Sequence, residues 1–383
     1  MRAIVGTPRF EGGEYVLDGA GGIDIVDIAK QIVRTSLNLT DQDVLLIHAW
    51  RHTTPLAAEI AREAIKTGAD TSVNYFDDDL WIAEFVEKDV KYASKKSASY
   101  ASLAETITAE VELGGPEDPK VFDRTKPERM SAMSAVFKEI EDRKRVRKVR
   151  TVFVGLGQVT PQRARKYGVS LTKWKRIVVA ALGADLRKMA AAGQLVGKEL
   201  AGARDVRVTA EGTDLTLDLS GREAFPNDGI IDANDIARGA LHESLPTGTV
   251  TIAPQEMRAD GHVTFPSTPL WGRMIRDLRF TFEAGRLVDY GAAKNLKAFE
   301  NYLKAEGGDK DRIGALSIGL NPKASYLGGF VDHLVAGAVS LGIGANDEFG
   351  GANKGSFFFA STLSRASVRS DRTSIVEGGK LRV

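Results

Sequence analysis

Histidine is the side chain best suited to proton transfer near neutral pH. The chain of 383 residues contains five histidines, and one of them, His333, directly follows Asp332. An imidazole beside a carboxyl group can act as a general acid and base, so this pair is a candidate for activating water. Glu243 and Glu256 are further candidates to supply a carboxylate. The chain contains no cysteine, which excludes cysteine nucleophiles, thiolate metal ligands and disulfides.

Four short segments punctuated by glycine stand out after Ala210. They read GTDLTLDLSGR at 212–222, LPTGTVTIAP at 245–254, IGALSIGLNP at 313–322 and VDHLVAGAVSLGIG at 331–344, the last continuing to FGG at 349–351. Together these segments resemble the metallo-aminopeptidases of the aminopeptidase T and S type, which share their scaffold with 2,5-dihydroxypyridine dioxygenase. The resemblance covers most of the chain, and its specific motifs all lie in the second half.

The resemblance implies five metal-ligand positions, where family members carry two Glu, one His, and a terminal His and Asp. In this chain the five positions are Thr249, Ala315, Ser340, Phe358 and Ala360. None of these is a ligand for a divalent metal, which requires carboxylate oxygen, imidazole nitrogen or thiolate. The glycine, proline and asparagine residues around them are intact. The pattern therefore indicates a preserved cavity whose metal site has been dismantled, and it predicts no metal and no other cofactor.

Polar groups near the former ligand positions become the candidates for catalysis. His333 stands where the family has the acidic pair of the fourth segment, so we expect it to activate water with Asp332. Thr249 and Ser340 keep hydroxyl groups that would orient the substrate. Either hydroxyl would be a nucleophile only if a base lay within about 3 Å. Simple filling of space by small residues is the alternative interpretation.

Four residues are predicted to contact the substrate. Asn321 and Lys323 belong to the third segment and its Asn-Pro turn, although an asparagine there can equally satisfy the backbone of the turn. Glu243 lies just before the second segment. Phe358 is the middle of three consecutive phenylalanines, which favours a planar organic substrate over a peptide N-terminus. Filling of the core by these rings is the alternative.

The first half of the chain must supply the frame for these groups. A continuous apolar run at 44–48, a helical stripe from Thr54 that stops at Gly68, and a second run at 71–75 form a βαβ unit. A further apolar strand is predicted at 151–155. These patterns predict an α/β domain with a parallel sheet over residues 1–210.

Three other features of this half carry weaker signals. Helices are predicted at 22–37 and 130–147, and residues 101–129 are expected to form an exposed irregular excursion. Gly155 and Gly157 follow a strand as they would in a phosphate-binding loop. Because the third glycine of such a loop is missing, a tight turn is the better interpretation.

Beyond Pro226 the pattern changes to short β-like runs. Residues 277–282 alternate between apolar and polar, and 286–289 would pair back through a hairpin turn. An amphipathic helix is predicted at 292–306. We therefore predict an α+β domain over residues 211–383, and with it the aminopeptidase T-like architecture that the resemblance implies.

Composition excludes several classes of function. The chain is 43% hydrophobic and 27% charged, as expected of a soluble globular protein, and its net charge of +1 favours neither nucleic acid nor an anionic membrane as partner. No apolar run approaches the roughly 18 residues of a membrane span, and no signal pattern is recognisable at the N-terminus. We expect a cytoplasmic protein. The resemblance implies a homo-oligomer, at least a dimer.

The leading hypothesis is a metal-independent hydrolase that acts on a small planar molecule. A second hypothesis keeps a metal for aminopeptidase or iron-dependent ring-cleaving chemistry, held by displaced ligands. These would be His242, Glu243, His262, His333 and Asp347. A third hypothesis is a ligand-binding protein without catalysis on the same scaffold.

Overall fold

The computed structural model describes residues 24–93, 95, 97–124, 138–270 and 273–383. Within this part of the chain, helix α6 covers residues 138–146. The rest of the helix predicted at 130–147, and the start of the one predicted at 22–37, lie outside the described residues. No helix of the described part combines the length and apolar character needed to cross a bilayer.

A five-stranded parallel sheet forms the first half of the fold, with spatial order β2-β1-β3-β4-β8. Its strands are β1 (Val44–Trp50), β2 (Asp70–Phe76), β3 (Ala109–Glu112), β4 (Arg150–Val154) and β8 (His242–Leu245). The predicted βαβ unit is confirmed, because β1 and β2 pair in parallel on either side of helix α2 (Thr54–Ile65). Pro55 lies in the first turn of α2, where a missing N–H costs no hydrogen bond.

Helices cover both faces of this sheet. One face packs into an apolar core with α1 (Ile25–Gln31), α2, α8 (Leu171–Leu182) and α9 (Leu186–Leu200). Helix α7 (Pro161–Tyr167) precedes them and is capped by Thr160, whose hydroxyl accepts from the Arg163 backbone N–H at 3.2 Å. The other face carries α6 and three short helices. These are α3 (Asp78–Ile82), α4 (Val90–Ala93) and α5 (Ala98–Ala104).

The second half contains two antiparallel sheets that share one apolar core. The eight-stranded sheet contains β5 (Val206–Ala210), β6 (Thr213–Leu217), β10 (Ala259–Leu270), β11 (Arg273–Glu283), β12 (Arg286–Gly291), β16 (Ser367–Arg369), β17 (Ser374–Glu377) and β18 (Lys380–Leu381). The five-stranded sheet has the order β15-β14-β13-β9-β7. Its strands are β7 (Ala224–Asn227), β9 (Thr249–Ile252), β13 (Ile313–Gly319), β14 (Val339–Gly344) and β15 (Phe358–Leu363).

The predicted hairpin and helix of this half are confirmed. Strands β11 and β12 pair through Glu283 and Arg286, and Gly285 between them has a positive φ of 78°. A Cβ at Gly285 would lie 1.8 Å from the carbonyl oxygen of Glu256, so only glycine fits there. Helix α11 (Leu296–Ala305) places Phe299 in the core, and the short α10 (Ala233–Arg238) precedes β8. The α/β plus α+β architecture is as predicted.

Two strands cross the sequence boundary proposed at residue 210. Strand β5 lies before it but joins the eight-stranded sheet, whereas β8 lies after it but joins the parallel sheet. The division into domains at 1–210 and 211–383 therefore remains a prediction. One expectation was wrong: residues 109–112, inside the predicted exposed excursion, form β3 at the centre of the parallel sheet. Glu110 and Glu112 interrupt the apolar run that identifies a buried strand in a sequence, so the strand was not predicted.

Candidate functional site

The five-stranded sheet has one apolar face and one polar face. Val250, Ile318 and Leu341 point from the first face into the core. Because side chains alternate along a strand, their immediate neighbours point to the other face. All five positions assigned by the resemblance belong to that second face. They are Thr249 on β9, Ala315 on β13, Ser340 on β14, and Phe358 and Ala360 on β15.

Strand register brings four of these positions close together. Thr249 is paired with Gly319, two residues along β13 from the partner of Ser340. Ala315 is paired with Gly342, which is in turn paired with Ala360. Four neighbouring strands, and five residues along β13, span a patch of about 14 Å on each side. Phe358 lies two residues further along β15, and its ring turns back so that a Cβ at Gly342 would be 3.0 Å from it.

A row of four hydroxyl groups crosses this patch. The register of the strands aligns Thr251, Ser317, Ser340 and Thr362, one on each of four consecutive strands. We call these four residues the hydroxyl row. The hydroxyls of Thr251 and Ser317 are 2.6 Å apart, and those of Ser340 and Thr362 are 2.9 Å apart. The Ser340 hydroxyl thus has a neutral partner rather than a base. At the far end Phe349 contacts the rings of Phe225 and Phe358, at centroid distances of 6.4 and 5.9 Å.

A cavity of about 360 Å³ opens at the carboxyl ends of β4 and β8. Phe153 and Ser244 of these strands form part of its wall. In open α/β sheets, ligands bind at this edge. Three aromatic rings line the cavity as well. The ring of Phe330 lies 4.9 Å from that of Tyr167 and 4.7 Å from that of Trp174, centroid to centroid.

His333 is the predicted catalytic residue that lines this cavity. It belongs to a short 3-10 turn at Asp332–Leu334 and is accessible to solvent. Desolvation by the surrounding protein lowers the pKa of His333, while a hydrogen bond with the backbone of Phe330 acts in the other direction. The imidazole is therefore neutral at pH 7 and can accept a proton.

Asp332 does not act as the partner of His333. Its buried carboxylate accepts hydrogen bonds from three successive backbone N–H groups of the preceding turn. The donors are Leu327 at 2.6 Å, Gly328 at 2.9 Å and Gly329 at 2.7 Å. Burial raises the pKa of Asp332, and these donors oppose that effect. The predicted water-activating pair is corrected, since Asp332 is committed to holding the turn that carries His333.

The parallel sheet has a polar face of its own, which also carries Phe153 and Ser244. Here the charged cluster of His48, Glu110 and Lys144 lies between β1, β3 and α6. His48 Nε2 is 2.7 Å from Glu110 Oε1, and Lys144 Nζ is 2.5 Å from Glu110 Oε2. Burial alone would raise the pKa of Glu110, but His48 and Lys144 lower it to about 2. The buried carboxylate is thus fully ionised and paired.

The family model for thermophilic metalloprotease (M29) matches residues 24–327, well over half of the chain. The chain belongs to the thermophilic metalloprotease (M29) family. The matched region includes Thr249 and Ala315 and ends before Ser340. None of the curated proteins matches this sequence.

Solved structures agree with the M29 assignment at the level of the fold. Wild-type AmpT from Thermus thermophilus matches with a TM-score of 0.68 and 17% identity, over 94% of this chain and 99% of its own. The 2,5-dihydroxypyridine dioxygenase of Pseudomonas putida KT2440 matches with a TM-score of 0.56 and 14% identity, over 94% and 96%. At such identities the likeness concerns the fold alone.

The metal that the M29 family name implies does not fit the side chains of this patch. The positions assigned as ligands carry hydroxyl, methyl and phenyl groups, which a divalent cation does not select. Across the described residues, no group of three His, Cys, Asp or Glu side chains is placed to hold an ion. The displaced set is not assembled either. His262 lies on β10 in the eight-stranded sheet, and His242 and Glu243, as neighbours on β8, point to opposite faces.

The four predicted substrate contacts do not meet at the cavity of this M29 chain. Asn321 is fully buried, and its amide and carbonyl groups make four hydrogen bonds to backbone atoms. Lys323 donates to the carbonyl oxygen of Gly183 at 2.6 Å. Phe358 is on the polar face of the five-stranded sheet. Asn321 is therefore an element of the turn, as its alternative interpretation held, and it has no bond left to offer a substrate.

Glu243 is buried on the core side of β8. Its carboxylate accepts from the Gly229 backbone N–H at 2.9 Å. Burial and the nearby charge of Asp228 raise the pKa of Glu243 well above its usual value. Burial likewise raises the pKa of Asp228 to about 6. Neither carboxyl group lines the cavity.

Sequence reasoning missed the cavity residues Gln158, Arg163, Tyr167 and Trp174. A signal was present, because Gly155-Leu-Gly157 and the helix start at Pro161 directly follow β4. The tight-turn interpretation of these glycines agrees with the structure. A Cβ at Gly157 would lie 2.4 Å from the carbonyl oxygen of Leu113, so glycine permits the close approach of the two segments. A turn after a parallel strand is also where ligand-binding side chains collect.

Proposed function

We propose that this M29 chain is an enzyme that hydrolyses a small planar organic molecule without a metal. The observation that carries the proposal is the location of His333. It is an accessible imidazole of lowered pKa, in a cavity walled by Tyr167, Trp174 and Phe330 at the carboxyl edge of the parallel sheet. Ring-lined walls favour a flat apolar body over a peptide N-terminus.

The proposed reaction uses His333 as a general base. A ring nitrogen takes one proton from a water molecule while the water oxygen forms a bond to the carbonyl carbon of an ester or amide. The bond from that carbon to the leaving oxygen or nitrogen then breaks. The proton held by His333 passes to the leaving group, which restores the neutral imidazole.

A hydrolysis assay with aryl esters and aryl amides tests the proposal. In the presence of a chelator we expect turnover by the wild type, and a loss of about 10²–10⁴-fold in kcat for His333→Gln. His262→Gln, an exposed histidine on β10, is the matched control and should keep full activity. The acidic limb of the pH–rate profile should lie below pH 6.5, because desolvation lowers the pKa of His333 from that value. Activity that requires added metal and disappears with chelator would reject metal independence.

A second candidate function is ligand binding without catalysis. It is favoured by one observation: among the residues predicted from the sequence as catalytic, only His333 lines the cavity, whereas Thr249 and Ser340 lie on the five-stranded sheet. Thermal stabilisation by an aromatic ligand, with no product formed from any ester or amide of the panel, would support this function.

A further inference from the structure

Arg163 lines the cavity as a half-buried cation. Among the described residues no carboxylate forms an ion pair with it, and Asp78 and Asp118 act on it only at longer range. Its Nη2 donates to the carbonyl oxygen of Pro116 at 2.9 Å, and its Nε is buried with no hydrogen bond. Other arginines with little exposure are paired: Arg150 with Asp43, and Arg222 with Glu256. Because a guanidinium out of bulk water needs an acceptor, the missing partner at Arg163 points to a ligand.

The amide of Gln158 is a second donor close to this guanidinium. A Cβ at Gly115 would lie 3.4 Å from Gln158 Nε2 and 3.7 Å from Arg163 Nη2, so both nitrogen atoms flank the same glycine. Both side chains also line the cavity, so the two donors are available from the same side of it. An amide N–H and a guanidinium together favour an anionic acceptor, above all a carboxylate, which accepts hydrogen bonds from both.

The aromatic rings of the cavity define the rest of the ligand. Phe330 meets Tyr167 edge to face at an interplanar angle of 84° and Trp174 at 36°, so the three rings form a continuous apolar wall. Tyr167 follows Arg163 by one helical turn on α7, and the two side chains therefore line the same side of the helix. A cavity of about 360 Å³ has room for one or two fused rings.

We propose that the cavity recognises an aromatic carboxylate, with its anionic group on Arg163 and Gln158 and its ring against Tyr167, Trp174 and Phe330. This inference rests on the cavity of the proposed function and names the substrate class for it. The carboxylate end would fix the ring, and His333, on the 3-10 turn, would face a hydrolysable group elsewhere on the ring. An Arg–carboxylate pair in a recess is worth more than one in open water, because fewer water molecules compete for it.

The first test compares ligands in the wild-type protein and needs no variant. Isothermal titration with 2-naphthoate and with the neutral 2-naphthamide should show at least a tenfold tighter Kd for the carboxylate. Raising the salt concentration should weaken the binding of 2-naphthoate and leave the binding of 2-naphthamide unchanged. Equal affinities, or tighter binding of the amide, would overturn the proposal.

The second test changes the cation. Arg163→Gln should raise the Kd of 2-naphthoate by about 10- to 100-fold and leave the Kd of 2-naphthamide within twofold of the wild type. Arg165→Gln is the matched control, since Arg165 is an exposed cation on the same helix outside the cavity, and both affinities should stay unchanged. If Arg163→Gln fails to fold, Arg163→Lys keeps the charge but loses the planar donor pair, and carboxylate affinity should still fall. Unchanged carboxylate binding in a folded Arg163 variant would overturn the assignment.

The two proposals fail in different ways. If the protein binds the carboxylate more tightly but hydrolyses no carboxyaryl ester, the recognition site is supported and the proposed reaction is contradicted. If the protein hydrolyses neutral aryl esters as fast as their carboxylated analogues, the proposed reaction is supported and recognition of the carboxylate by Arg163 is contradicted.

Discussion

The parallel sheet and the five-stranded antiparallel sheet each present a polar face, but the two faces are built differently. The first carries the charged cluster, in which a buried carboxylate is held between an imidazole and an ammonium group. The second carries the hydroxyl row, in which neutral groups bond in pairs between adjacent strands. Both satisfy buried polar atoms. Only the first depends on every partner being present, because an unpaired buried charge costs far more than an unpaired hydroxyl.

This difference indicates how the M29 scaffold would accommodate the proposed loss of its metal ligands. Small neutral residues on the antiparallel face are satisfied locally and leave the apolar core on the other side of the sheet unchanged. The charged cluster, by contrast, bridges two strands and a helix, so any change there is felt by the fold. The first face should be sensitive to substitution, and the second should be tolerant wherever a substitution leaves no buried charge.

The largest effect is expected from removing the ammonium group of the charged cluster. Lys144→Met leaves Glu110, itself only 4% exposed, with His48 and the hydroxyl of Thr151 but without a full positive charge beside it, and should lower the free energy of unfolding by about 3–5 kcal/mol. Lys138→Met, on the solvent side of the same helix, should unfold close to the wild type. Urea denaturation measures both. The double variant Glu110→Met/Lys144→Met should recover much of the loss, and failure to do so would show that packing rather than charge dominates.

Acid should act on the same cluster. Because the folded pKa of Glu110 is about 2 against 4.5 for the unfolded chain, its contribution to stability is present above pH 4.5 and is lost as the pH falls towards 2. The shift corresponds to about 3 kcal/mol. Groups with raised pKa, such as Asp228, act in the opposite direction, so the informative quantity is the difference between wild type and Glu110→Gln. That difference should shrink between pH 4.5 and 2; a constant difference would contradict the ionised pairing.

A charge buried on the polar face of the five-stranded sheet should destabilise the fold, because this face lacks the paired charges of the charged cluster. Ala315→Glu places a carboxylate at a position that is 2% exposed, and should destabilise the fold by about 2–3 kcal/mol. Ala360→Glu, paired through Gly342 on the same face but exposed, should be tolerated. Thermal unfolding distinguishes them. Equal behaviour of the two variants would show that the face is open enough for water to solvate either carboxylate.

Much of the fold could be predicted from the sequence, and the exceptions have a physical cause. Hydrophobic runs at β1 and β4, the helix stop at Gly68 and the hairpin at Gly285 are local signals, and the structure confirms them. Strand β3 gave no such signal, since two of its four residues are glutamates. Glu110 is compatible with a central strand only because Lys144, 34 residues later, neutralises it. A contact at that separation cannot be inferred from periodicity.

The site was less predictable for a related reason. Strand register places the five positions assigned by the resemblance on one face of the antiparallel sheet. Their role as former ligand positions stays a prediction. Which polar groups are free to act depends on hydrogen bonds that the sequence does not show, and these commit Asp332 and Asn321 to the backbone. Arg163 was not singled out because an arginine in the first turn of a helix is ordinary until its cavity position and its unsatisfied Nε are known.

The smallest effect is expected from the hydroxyl row. Ser340→Ala removes one neutral hydrogen bond with Thr362 and should cost about 1 kcal/mol in urea denaturation. Because Ser340 has no base beside it and lies outside the cavity wall, hydrolysis should remain within about threefold of the wild type. Ser317→Ala, in the same row, should behave alike. A loss of 100-fold or more in Ser340→Ala with normal stability would instead make this hydroxyl the nucleophile, place the reaction on the antiparallel sheet, and reverse the roles of the two polar faces.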